Sequence, residues 1–312
     1  RRPVLVNGQT TSVVSWRLTQ GDAPLRLEVR PFVHFRVNEA RVSETSNVAY
    51  TLTSRGNRHE ISGDEQFPSL RLHMSADDEV FTLDGGTRHQ LYYSWEAKRG
   101  YDCRGTLWSP GFFGITLRPD VPAFLSASTE EWDTISSLMP AEIWAHEVAR
   151  RRQLIANAAP ALREPPANEL VLAADTFVVA PPRREPRALA ADADPYRTVI
   201  AGYHWFTDWG RDTMISLEGL TLVTGRQREA RGILRNFAQH IRDGLIPNLF
   251  PEHDHEGVYN TADATLWFFH AIDRYVETTG DQAFLEEMLP RLIDIVRHHL
   301  DGTRFGIAVD PR

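Results

Sequence analysis

Residues 213–243, TMISLEGLTLVTGRQREARGILRNFAQHIRD, hold two helical patterns back to back across a single glycine. In the second, Ala230, Ile233, Leu234, Phe237 and Ile241 recur at i, i+3, i+4, i+7 and i+11, which lines one face of a helix with apolar side chains. The pattern predicts helices over 213–224 and 226–243. Gly225 sits where a helix end takes the left-handed conformation that glycine adopts at no steric cost. Working outward, the same periodicity predicts helices over 167–178, 262–279 and 282–300. Gly244, Gly280 and Gly302 follow helix ends, and Pro290 is expected to kink the last helix.

The junctions alternate long, short, long, short. Residues 179–212 join the first two helices, Gly225 the next pair, 244–261 the third, and Gly280 with Asp281 the last. Sequential helices in such an array run antiparallel, so alternate junctions share an end. Both long loops therefore gather on one face, and long loops in compact domains usually carry function.

Residues 11–127 read differently. Period-two runs at 13–18, 25–37, 49–52, 69–74, 80–83 and 90–95, punctuated by Gly, Asp, Asn and Pro, predict the strands of an antiparallel sandwich. Asp84-Gly85-Gly86 is read as a hairpin turn. Ser128-Thr129-Glu130-Glu131 has capping-box spacing, and Pro140 suits the first turn of a following helix. The expected organisation is a β-sandwich-like domain over 1–127, a linker helix over 128–165 and a helical domain over 166–312.

Composition bounds the function. The 312 residues are 42% hydrophobic and 24% charged with a net charge of −8, which suits a globular protein and argues against a nucleic-acid binder, because that role needs a concentrated basic face. No apolar run of about 18 residues exists to cross a bilayer, so no membrane partner is expected. Lys98 is the only lysine among 34 basic residues. One cysteine, Cys103, cannot make an intrachain disulfide, and the default compartment is the cytoplasm. No signature of a cysteine nucleophile surrounds it.

The long loops hold the chemistry. Residues 181–194, rich in Pro, Arg and Ala, read as a solvated excursion. Gly202-Tyr203-His204-Trp205-Phe206-Thr207-Asp208-Trp209-Gly210-Arg211-Asp212 is different, packing aromatics, carboxylates, a histidine and an arginine against a helix start. The second loop adds Asn248, Glu252, His253, Asp254, His255, Glu256, Tyr259, Asn260 and Asp263. A sugar ring presents an apolar C–H face, on which flat side chains stack, and a belt of hydroxyls, which carboxylates, amides and guanidinium groups grip. Glycoside hydrolysis further needs two carboxyl groups astride the bond, and Asp208, Asp212, Glu256 and Asp263 qualify by type alone. Trp209 is the stacking candidate, whereas Trp205, Phe206, Trp267 and Phe268 are read as core. Arg211 and Asp212 have a competing reading as a buried salt bridge at a helix start. The pairs at His253/His255 and His298/His299 lack the i, i+4 spacing of metal ligands, so neither a metal nor a cofactor is expected.

Trp205-Phe206-Thr207-Asp208-Trp209-Gly210-Arg211-Asp212-Thr213, Gly244-Leu245-Ile246-Pro247-Asn248 and Tyr259-Asn260-Thr261-Ala262-Asp263-Ala264 closely resemble the amylo-alpha-1,6-glucosidase domain of glycogen debranching enzymes. Arg99-Gly100-Tyr101-Asp102 and Ser109-Pro110-Gly111 resemble the N-terminal domain of bacterial members. The resemblance implies an (α/α)6 toroid behind a β domain, cleavage of α-1,6-linked glucose at branch points with inversion, and an α-glucan partner. It also implies that Trp209, Arg211, Asp212, Asn260 and Asp263, with Asp208 secondary, bind glucose. The family's general acid, in a Trp-Met-Asp segment, and its general base have no counterpart before Arg312. About five helices of twelve are present, so the chain is expected to be a fragment carrying the first half of the toroid. Another toroid glucosidase, of glucoamylase or trehalase type, and a non-catalytic glucan-binding protein are the rival readings.

Overall fold

The computed structural model describes residues 1–37, 40–44, 49–76, 78–137, 139–180, 194–203, 205–250 and 257–310. The chain divides into two compact units, Arg1–Ala149 and Arg150–Arg312, and the division falls inside the 128–165 stretch.

The first unit is built from strands β1 (Arg2–Leu5), β2 (Thr11–Trp16), β3 (Leu25–Val29), β4 (Thr51–Arg55), β5 (Arg58–Ser62), β6 (Leu70–Ser75), β7 (Val80–Tyr92), β8 (Arg104–Leu117) and β9 (Ala123–Ser128). They form two antiparallel sheets, in the orders β1-β2-β9-β6-β5-β4 and β3-β8-β7. Alternate side chains of both sheets meet in one core, where Ile61, Leu72 and Met74 face Phe113, Ile115 and Leu117. Each such burial stabilises the fold by ~1.5–3 kcal/mol. A short helix, α1 (Ser94–Lys98), joins β7 to β8, and α2 (Trp132–Ser137) follows β9.

Two local expectations fail here. The hairpin expected at Asp84-Gly85-Gly86 is absent, because 80–92 runs as one strand along β8 with a register shift between Leu83 and Thr87. Gly85 and Gly86 have φ of 81° and 73°, and a Cβ on Gly86 would lie 2.8 Å from Trp108 Nε1. The glycines thus make a bulge that bends the strand over the indole, without reversing it. The capping box at Ser128 also fails. Glu130 accepts from the Thr10 N–H and hydroxyl, both at 2.9 Å, and Glu131 pairs with Arg71 at 3.1 Å. Both carboxylates tie the sandwich and leave the helix start alone.

Helix α3 (Pro140–Asn157) begins at the expected proline. The second unit continues with α4 (Ala167–Phe177), β10 (Val178–Val179), β11 (Thr198–Gly202), β12 (Phe206–Asp208), α5 (Gly210–Leu217), a π turn at Glu218–Leu222, α6 (Gln227–Gln239), α7 (Asp263–Thr279) and α8 (Gln282–Asp301). The stripe of α6 is buried as expected, with Ala230, Ile233, Leu234 and Phe237 at 0% exposure, packed with Phe268 of α7 and Met288 of α8. That helix ends four residues earlier than its periodicity predicts. Arg242 and Leu245 exchange backbone hydrogen bonds of 3.0 Å across Asp243 and Gly244, both at positive φ, so Gly244 closes a tight hairpin. Helix α8 continues through Pro290. Among the described residues no helix is long and apolar enough to cross a membrane.

Candidate functional site

Helix α5 starts without a cap of its own. Trp209 holds the N-cap position in extended conformation, and no side chain there bonds back to the helix. The second long loop supplies the missing partners. The Gly210 N–H donates to the Asn248 carbonyl at 2.9 Å, and the Arg211 N–H donates to Asn248 Oδ1 at 3.3 Å. These satisfy two of the donors that every helix start leaves unpaired. Isolated bridges Trp209–Leu249 and Leu249–Val258 extend the pairing, and the Ile246 N–H donates to Thr265 Oγ1 at 3.0 Å, anchoring the loop to the first turn of α7. Approach is so close at Gly210 that a Cβ would stand 2.2 Å from the Pro247 carbonyl oxygen.

The first turns of α5 and α7 consequently meet. Arg211 Nε lies 2.7 Å from Asp263 Oδ2 and its Nη2 donates to Asp263 Oδ1 at 3.0 Å, a bidentate pair. Its side chains are 44% and 47% exposed, so it faces water and contributes only about 0–1 kcal/mol to stability. Its effect is orientation, holding a guanidinium and a carboxylate in one plane at the mouth of both loops. This corrects the competing reading of a buried Arg211–Asp212 bridge. Asp212 is exposed on the first turn of α5, and the partner of Arg211 comes from the other loop.

The remaining predicted residues fall at and behind this rim. Asn260 is exposed three positions before Asp263. Trp209 is half-buried and meets Phe206 edge to face, with ring centres 6.0 Å apart. Its Nε1 is buried with no hydrogen-bond partner among the described residues, as is the Thr261 hydroxyl. Asp208 is buried, accepting from the Thr198 hydroxyl at 3.0 Å across the β11–β12 pair. Of the aromatics read as core, Phe268 is fully buried, whereas Phe206 and Trp267 are 39% and 37% exposed. His204, Glu252, His253, Asp254, His255, Glu256 and the 181–193 excursion lie outside the described residues. His298 and His299 direct Nδ1 at the carbonyls of Asp294 and Ile295, each at 2.9 Å. Among the described residues no three His, Cys, Asp or Glu side chains converge as a metal set.

Sequence reading missed how the rim is assembled. Asn248 as a cap in trans, Thr265 as an anchor and Thr198 behind Asp208 carry no local signal, because each acts on a residue far along the chain. Chemically, the rim offers two carboxylates, a side-chain amide, the guanidinium N–H groups that Asp263 leaves over from its five, and the edge of an aromatic pair. Carboxylates, amides and guanidinium groups pair with hydroxyls, and aromatic faces stack on apolar C–H surfaces.

Comparison with known proteins agrees in both units. Residues 172–312 match the family model described as amylo-alpha-1,6-glucosidase, and residues 1–123 match that of the glycogen debranching enzyme N terminal. The glycogen debranching enzyme of Saccharomyces cerevisiae is 39% identical over 105 residues, covering 33% of this chain and 6% of the yeast protein. With one model spanning the strands and the other spanning the helices that carry Arg211 and Asp263, the chain belongs to the glycogen debranching enzyme family.

Proposed function

We propose that Trp209, Arg211, Asp212, Asn260 and Asp263 hold the terminal glucose of an α-glucan, within a glycoside hydrolase that removes α-1,6-linked glucose at the branch points of glycogen with inversion. The observation that carries the reading is the bidentate Arg211–Asp263 pair, because it joins the two loops into one surface of sugar-binding composition. The flat face of the sugar stacks on Trp209. Asp212 and Asp263 accept from adjacent hydroxyls, and the outer guanidinium N–H groups of Arg211 donate to a third oxygen. Asp208 serves from behind, fixing the strand that delivers Trp209. Helices α5 to α8, which alternate short and long junctions with the site at one end, are part of an (α/α)6 toroid on this reading. The residues assigned here grip and do not cleave, and the acid and base sit elsewhere in the site.

Titration calorimetry of the 312-residue chain tests the grip. Isomaltose and panose are expected to bind in the millimolar range, about −4 kcal/mol. Charge-assisted hydrogen bonds contribute roughly 1.5–3 kcal/mol, so Arg211→Ala and Asp263→Ala should each weaken binding by about tenfold or more. Arg211→Lys, which keeps the charge and loses the fork, should not restore it. Wild-type affinity in Arg211→Ala would remove the assignment.

A further inference from the structure

The first unit carries a second cluster of sugar-binding character that the rim does not use. Between β7 and β8 the chain makes a tight connection closed by the Tyr93 N–H donating to the Cys103 carbonyl at 2.8 Å. Within ten residues it presents Tyr92, Trp95 and Tyr101, which are 60%, 63% and 57% exposed. Several other rings of the same unit turn inward, as Phe81, Phe113 and His59 do against one another and Trp108 does against Tyr50. Three large rings in water on one short connection are not the scattered surface hydrophobics of an ordinary protein.

The rings are braced. Lys98 Nζ sits 4.2 Å from the Trp95 ring centre, and the Arg99 and Arg104 guanidinium carbons sit 4.8 Å and 5.8 Å from those of Tyr101 and Tyr92. Such cation–π contacts hold each ring in one orientation, which lowers the entropy lost when a ligand arrives. Backbone bonds fold the rings onto one turn, with the Arg99 N–H donating to the Trp95 carbonyl at 3.2 Å and the Tyr101 N–H to the Glu96 carbonyl at 3.0 Å. Beside Tyr101 the carboxylate of Asp102 is fixed by the Ser43 hydroxyl at 2.9 Å and lies 3.6 Å from Arg41.

From this we propose that the β7–β8 connection is a second α-glucan contact surface, on which successive glucose units of an outer chain stack while Asp102 accepts from their hydroxyls. Flat rings, an oriented carboxylate and guanidinium groups are the composition that a sugar's apolar face and hydroxyl belt require. A lipid surface is disfavoured by the carboxylates of Glu96 and Asp102 beside the rings, and a polyanion by the seating of Lys98, Arg99 and Arg104 on the ring faces and by the chain's net charge of −8. The inference rests on the α-glucan reading of the rim for the identity of the polymer, and the surface would hold long chains that the single-hexose grip cannot.

Affinity electrophoresis of the 312-residue chain through gels containing glycogen, with isomaltose calorimetry in parallel, separates the two sites. Trp95→Ala combined with Tyr101→Ala is expected to weaken glycogen retention at least tenfold and leave isomaltose binding unchanged. Arg211→Ala should lose isomaltose binding and lose less of the glycogen retention than the double alanine variant does. Trp95→Phe with Tyr101→Phe, which keeps flat rings, should retain most of the glycogen affinity. The inference is overturned if the double alanine variant migrates as wild type, if the phenylalanine variant loses as much as the alanine variant, or if the patch retains heparin in preference to glycogen. Failure of isomaltose binding with glycogen retention intact would sink the rim reading alone. A wild-type chain that glycogen does not retard sinks the second surface.

Discussion

Gly210 is where the two loops press hardest, so Gly210→Ala tests whether they truly share a rim. An added Cβ would stand 2.2 Å from the Pro247 carbonyl oxygen and 3.3 Å from Asn248 Cα. Both are backbone atoms, so no side chain can swing aside to make room. Relief requires the second loop to withdraw, which lengthens the 2.9 Å Gly210–Asn248 bond and the 3.3 Å Arg211–Asn248 bond. Overpacking costs about 1–3 kcal/mol and a lost hydrogen bond about 0.5–1.5 kcal/mol, so the expected destabilisation is roughly 2–4 kcal/mol. At about 2–4 °C per kcal/mol for a unit of this size, Tm should fall on the order of 5–15 °C. Gly219→Ala is the matched control, because its Cβ would meet nothing within 4 Å and its φ is not positive. There the change should be neutral or stabilising by up to ~1 kcal/mol. Denaturant and thermal unfolding of both variants provide the comparison, with isomaltose binding as a second readout that only Gly210→Ala should impair. Equal stability of Gly210→Ala and wild type would show that the loops are not apposed, and the shared rim would fall with that result.

The fold should also be acid-sensitive. Burial pushes His34 and His73 below 6.5, so the unfolded chain takes up protons first and stability declines as pH falls from about 6.5. Asp281, whose carboxylate accepts the Phe284 N–H at the start of α8, and Glu218, hydrogen-bonded to Arg274, are held below the usual carboxylate range. Their contribution is present above that range and is lost as pH drops through it, so denaturant midpoints should fall more steeply below about pH 4.5. A midpoint that stays constant from pH 7 to pH 4 contradicts this, and Asp281→Asn should flatten the acidic limb. A separate expectation concerns α8, where Leu289, Ile293, Val296 and Leu300 form an outward stripe 41–64% exposed. A contiguous apolar patch of this kind drives association, so light scattering over a concentration series should show the 312-residue chain self-associating, and Ile293→Glu with Leu300→Glu should return it to monomer. A monodisperse wild-type monomer throughout the series would count against the stripe as an adhesive surface.

The expectations that held share one property, that the signal lies within a turn or two of helix or a few residues of strand. The apolar stripe of α6, the helix start at Pro140 and the β-rich first unit were all readable because burial imposes a period of 3.6 or 2 on side chains that must face one way. Failures came where a residue type serves more than one geometry. Glycine at positive φ suits a hairpin, a helix end and a bulge alike, and only Trp108 lying over Gly86 selects the bulge. Gly244 was misread for the same reason, since the pairing of Arg242 with Leu245 makes it a hairpin residue. Glu130 and Glu131 carried capping-box spacing, yet their carboxylates bond Thr10 and Arg71 across the sandwich.

At the rim the division is just as clear. Sequence alone predicted, from junction lengths, that two polar, aromatic loops share an end of the helical array, and the resemblance of its motifs to debranching enzymes named Trp209, Arg211, Asp212, Asn260 and Asp263, with Asp208 secondary, because loop lengths and motif spelling are properties of the linear chain. Tertiary structure decided that Arg211 pairs with Asp263, 52 residues away, and not with its neighbour Asp212. It also placed Asn248, 37 residues on, as the cap of α5, and turned Asp208 inward onto Thr198. A charged or amide side chain bonds whichever partner the folded backbone brings within about 3 Å, and that choice is made by the packing of whole helices, which no local stretch encodes.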